Sequence, residues 1–151
     1  RIFDVQPVNL PSPGAAEGLL EQVVCAGGDE KVLGQIGPEG EGPCLLALRE
    51  EVDWQQWGPL AVSEAWILEE QVLKPVLGES MPEHLSYVHD HHLALEQVIS
   101  GDYQMAFLLK PFPMDRFEDV VSQGQRLPTK STFFYPKLPT GLVINQLDGS
   151  L

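Results

Sequence analysis

The stretch K31-VLGQIGPEGEGPCLLAL-R49 decides how the rest of the chain is read. Two apolar runs, KVLGQIG and PCLLALR, flank PEGEG, whose glycine, proline and glutamate content favours a turn between two strands. A hairpin of this kind pairs its strands antiparallel and favours a mixed sheet over a purely parallel one. Upstream, Ile2 through Val5 alternate apolar and polar, as a half-buried strand does. Between the two, Leu19, Leu20, Val23 and Val24 form the double column of a short amphipathic helix, stopped by Gly27 and Gly28.

Downstream, AVSEAWILEEQVLKPVL places Ala61, Ala65, Leu68, Val72 and Val76 on one side of a helix, with Glu64, Glu70, Gln71 and Lys74 on the other. Pro75 lacks an amide donor and is expected to end or kink that helix in its last turn, before Gly78 stops it. HLSYVHD then reads as a strand, and DHHLALEQVIS as a helix capped by Asp90. YQMAFLLK reads as another strand, MDRFEDVVSQG as a helix with Met114, Phe117, Val120 and Val121 inward, and GLVINQL as a last strand. Strands alternating with helices give an α/β or α+β class, with a mixed sheet and amphipathic helices in a single compact domain over residues 1–151.

Composition sets limits on function. Of 151 residues, 43% are hydrophobic and 21% charged, the balance of a globular domain. A net charge of -13 repels nucleic acid and anionic membranes, so neither is expected as a partner. Yet Lys110, Arg116, Arg126, Lys130 and Lys137 gather in the last third, and no acid lies between Arg126 and Lys137. Cys25 and Cys44 lack metal or redox spacing and read as reduced, mostly buried thiols of a cytoplasmic protein. No apolar run approaches the ~18 residues of a membrane span. An opening strand without methionine reads as the start of a fragment of a longer polypeptide.

The basic segment LPTKSTFFYPKLPTGL, Leu127–Leu142, resembles a P-loop only superficially. A helix precedes Gly124 where a strand is needed, and Pro136 and Pro139 bar a helix after Ser131. Gly124 is read as a helix C-cap. What remains is a candidate anion site: Lys130 and Lys137 supply charge, Ser131 and Thr132 hydroxyl donors, with Arg126 and Tyr135 at its margins. The competing reading makes the aromatics core and the lysines solvated. All four histidines fall in HLSYVHDHH, as His84, His89, His91 and His92. His89 and His91 are weak metal candidates, because neighbours such as His91 and His92 diverge by about 100° on a helix; surface histidines with Asp90 as N-cap is the preferred reading. No nucleophile–base arrangement or cofactor motif is present, so the domain by itself is expected not to be catalytic and to need no cofactor.

Leu127, Pro128, Lys130, Ser131, Thr132, Phe134, Pro136, Lys137, Gly141 and Leu142 resemble the motif that closes proteins of domain of unknown function 1015 (DUF 1015). YVHDHHLALEQVISGDYQMAFLLKP resembles the preceding part of the same family, so that the likeness covers about residues 54–147. Leu127 stands where the family has methionine. Nothing in the chain corresponds to the family's N-terminal ADGHHRYETAL-like segment. The resemblance therefore implies a C-terminal domain whose partner is the N-terminal portion of the same polypeptide; with the residues read above, that portion is expected to complete a site for a small anion, phosphate or carboxylate. The alternative is a purely structural or oligomerisation domain with no ligand.

Overall fold

The computed structural model describes residues 2–9, 15–26, 30–37 and 42–127. The hairpin is present: β2, Val32–Ile36, pairs antiparallel with β3, Cys44–Leu48, in the register Leu33 opposite Leu46 and Gly34 opposite Leu45. β1, Phe3–Pro7, lies antiparallel along the far side of β3, and β4, Ala106–Leu108, antiparallel along the far side of β2. The order β1-β3-β2-β4 makes a four-stranded sheet of the α+β class. The expected mixture of pairings resolves to antiparallel ones throughout the described strands, because the segment between β3 and β4 returns the chain antiparallel to β2.

Side-chain alternation gives the sheet two apolar faces. One carries Leu45, Ile36, Ala106 and Leu108, covered by Ala16 and Leu19 of α1 (Ala15–Cys25) and Val98 of α4 (His91–Ile99). The other carries Phe3, Leu33, Leu46 and Phe107, covered by Leu68, Val72 and Leu73. Gly34 sits where α1 comes closest: a Cβ there would lie 2.8 Å from Leu19 Cγ and 2.9 Å from Leu19 Cδ2. The absent side chain is what lets the helix settle on the strand.

The long helix differs from its periodic reading. Turns of 3₁₀ helix at Trp54–Trp57 and Pro59–Val62 lead to Ser63, whose Oγ accepts the Trp66 N–H at 3.3 Å and caps α2, Glu64–Leu68. A π-helical turn, Glu69–Leu73, separates α2 from α3, Lys74–Leu77. Pro75 sits in the last turn, as expected, where the turn before it, widened by one residue, removes the carbonyl its ring would strike; the helix ends at Leu77, and Gly78 follows with a φ of 64°. The same extra residue rotates everything after it. Val76, expected on the buried side, is 79% exposed.

Three other readings are corrected. Residues 84–90 form no strand: the 3₁₀ turn Gly78–His84 runs into Leu85, extended in dihedral angle but in no sheet, since a 3₁₀ turn through Pro82 takes up the start of the segment and Asp90 ends it as the N-cap of α4. Val121 of α5, Met114–Ser122, points outward while Val120 is buried, since adjacent helical residues cannot share a face. Cys25 is exposed and Cys44 only half-buried, at a helix end and a strand start. Asp90 does cap α4, its Oδ1 accepting the His92 N–H at 2.8 Å. Gly124 follows α5 with a φ of 71°, the left-handed conformation of a C-cap glycine. The strand read at Gly141–Leu147 lies outside the described residues.

Candidate functional site

Lys130, Ser131, Thr132, Tyr135 and Lys137 lie outside the described residues. Arg126 is described and exposed, in the chain leaving α5. The described residues contain three other constellations of polar chemistry; the sequence points to none of the three as a whole, though it offers His91 of the third as a weak metal candidate, paired with His89.

The first is a buried ionic cluster at one end of the sheet. Lys31 precedes β2 and Lys110 follows β4, and antiparallel pairing of those strands brings both to the same edge. Both ammonium groups approach one oxygen of Glu64, Oε1, at 3.8 Å from Lys31 Nζ and 3.3 Å from Lys110 Nζ. Glu64 is only 3% exposed, although helical periodicity assigned it to the solvent side. Its Oε1 makes no hydrogen bond in good geometry, so charge rather than direction holds it. Lys31 Nζ also donates to the Val62 carbonyl at 2.9 Å and lies 4.6 Å from the centroid of the Trp54 ring. Lys110 Nζ donates to the Glu30 carbonyl at 2.6 Å.

The second is a cleft of about 400 Å³ beside that cluster, between the 3₁₀ turns and α5. Trp54, Val62 and Val120 form its apolar lining, and Gln55, Arg116, Asp119 and Gln123 its polar one. Arg116 Nη1 lies 4.0 Å from Asp119 Oδ2, an exposed pair one helical turn apart. Pairs of this kind contribute about 0–1 kcal/mol, little against a competing doubly charged anion.

The third joins α1 to the start of α4. Glu17, His91 and His92 each bring one potential metal ligand, and the three atoms lie within 4.8 Å of one another. The imidazole rings of His91 and His92 have centroids 4.3 Å apart, tilted by 33°. The expected divergence of these neighbours does not occur. First-turn side chains lean back past the helix terminus, where the angular separation around the axis counts for less. His92 Nε2 stands 3.4 Å from Glu17 Oε1, and His91 Nε2 is buried with no hydrogen-bond partner. His84 and His89 are exposed and belong to no such group among the described residues.

Tyr87 donates its hydroxyl proton to Glu69 Oε1 at 2.8 Å. Burial first, and then the hydrogen bond to Glu69, push the Tyr87 phenol up to about 12. No helix among the described residues is long and apolar enough to cross a membrane. Comparison of the chain with protein-family models, with curated proteins and with solved structures finds no match.

Proposed function

We propose that the chain acts as a small-anion-binding domain of the DUF 1015 kind, contributing part of a site that other residues of the same polypeptide complete. The observation that supports this reading is the cleft beside the buried lysines. Trp54 offers a flat surface, Arg116 a guanidinium and Gln55 and Gln123 amide donors, a set suited to a planar ligand bearing phosphate or carboxylate. The Lys31 ammonium over Trp54 draws electron density from the ring, which favours stacking of an electron-rich partner. Lys130, Ser131, Thr132 and Lys137 are proposed to add charge and hydroxyl donors, with Arg126 and Tyr135 beside them. Binding is proposed, without turnover by this chain alone.

Inorganic phosphate titrated into the ¹⁵N-labelled chain tests this directly. The expected result is saturable movement of the Trp54 indole and Arg116 side-chain resonances, weakened by added salt and lost in both Arg116→Gln and Lys130→Met. Loss in Lys130→Met with full binding by Arg116→Gln would confine the anion to the C-terminal motif and remove the cleft from the proposal. An unmoved spectrum leaves the structural alternative in its place.

A further inference from the structure

We infer that Glu17, His91 and His92 form a binding site for a divalent transition metal, with zinc the ion that best fits the ligands. It stands apart from the anion cleft and does not depend on it.

Donor chemistry is the first ground. Two imidazole nitrogens and one carboxylate oxygen are ligands zinc accepts, and three protein ligands with a fourth position left to water is a recurrent zinc arrangement. Distance is the second. Ligands held ~2.0–2.1 Å from a tetrahedral zinc stand roughly 3.3–3.4 Å from each other. His92 Nε2 and Glu17 Oε1 are already 3.4 Å apart, and the widest separation in the trio is bounded by 4.8 Å. The third ground is His91. A buried ring nitrogen without a hydrogen bond is costly unless something satisfies it, and a metal lone-pair bond does so.

The surroundings are compatible with a cation. The N-terminal end of α4 carries the positive pole of the helix dipole, which opposes one, but Asp90 and Glu17 bring two carboxylates to that end. Asp90 also fixes the first turn through the His92 N–H, holding both histidines on a defined backbone. Glu17 and His92 are each about half exposed, so two of the three ligands are open to an entering ion and its water.

The decisive variants are Glu17→Gln and His92→Asn, since both side chains are exposed enough for the fold to survive, which far-ultraviolet circular dichroism checks. The chelator-stripped chain is titrated with zinc by calorimetry and with cobalt(II) by visible absorption. The expected result is one zinc per chain, an intense tetrahedral-type cobalt spectrum, and affinity lowered about tenfold or more in both variants but unchanged in His89→Asn. Absence of zinc binding by the unaltered chain overturns the inference. So does binding that survives both decisive variants, or that is lost equally in His89→Asn.

Discussion

Replacing Glu64 by Gln keeps the shape of the side chain and removes the one charge on which Lys31 and Lys110 converge. At an effective dielectric constant of ~20, a unit charge pair at 3.3 Å is worth about 5 kcal/mol and one at 3.8 Å about 4 kcal/mol. Desolvation of the three ions offsets most of that gain while the cluster is intact. Once the carboxylate is gone, the ammonium groups stay buried without it, and loss of one partner from such a cluster costs about 3–5 kcal/mol. Lys31 retains the Val62 carbonyl and Trp54, and Lys110 the Glu30 carbonyl, which places the expected value toward the lower end of that range. Lys110→Met should cost less, within the ~0.5–3 kcal/mol of ordinary substitutions, because Glu64 keeps Lys31. The double variant should be more stable than the sum of the two single losses predicts, by about 0.5–3 kcal/mol. Urea unfolding followed by tryptophan emission measures all three, with Trp54 reporting from the cluster itself. A cost below ~1 kcal/mol for Glu64→Gln, the value of a surface pair, or strict additivity in the double variant, would refute the reasoning.

Two further outcomes follow from packing and titration. Gly34→Ala forces a methyl group against fully buried Leu19 and should cost about 1–3 kcal/mol in the same unfolding assay, whereas an unchanged midpoint would show that α1 yields freely. In an ultraviolet pH titration Tyr87 should ionise near pH 12, against 10.0 for an unperturbed phenol. Because the folded value is the higher one, the stabilisation from this group is complete below pH 10 and is lost as pH rises toward 12. Glu69→Gln should lower the Tyr87 midpoint without restoring the ordinary value, because burial is the larger cause.

Much of the sheet was readable because local chemistry specifies it. The two apolar runs Val32–Ile36 and Cys44–Leu48, Asp90 before an apolar helix and Gly124 after one are each set by a few neighbouring residues, and the antiparallel pair, the N-cap and the C-cap all appear where they were expected. Val76 shows where periodicity fails: it assumes a constant 3.6 residues per turn, and one π turn upstream shifts the face. Glu64 and Lys31 were missed for a different reason. They meet because residues 54–64 pack back against the start of β2, and Lys110 joins them through the pairing of β4 with β2, contacts between distant segments that single-residue patterns do not encode. Register would have revealed the second, since Gly34 opposite Leu108 sets Lys31 and Lys110 at one end of the sheet. Glu17 likewise meets His91 and His92 only because α1 and α4 cover the same sheet face.

The strand order also sets a timetable for folding. β1, β2 and β3 can assemble from the first third of the chain, but one edge of β2 stays open until Ala106–Leu108 has been made and returned to it. Closing so long a loop is an entropic cost met before the contacts that offset it form, which slows the final step. Until then Leu33 and Ile36 border an unpaired row of backbone groups, the kind of surface to which a second chain adds a strand. Synthesis paused before Leu108 should therefore yield a nascent chain prone to self-association and sensitive to protease, and passage of that point should abolish both.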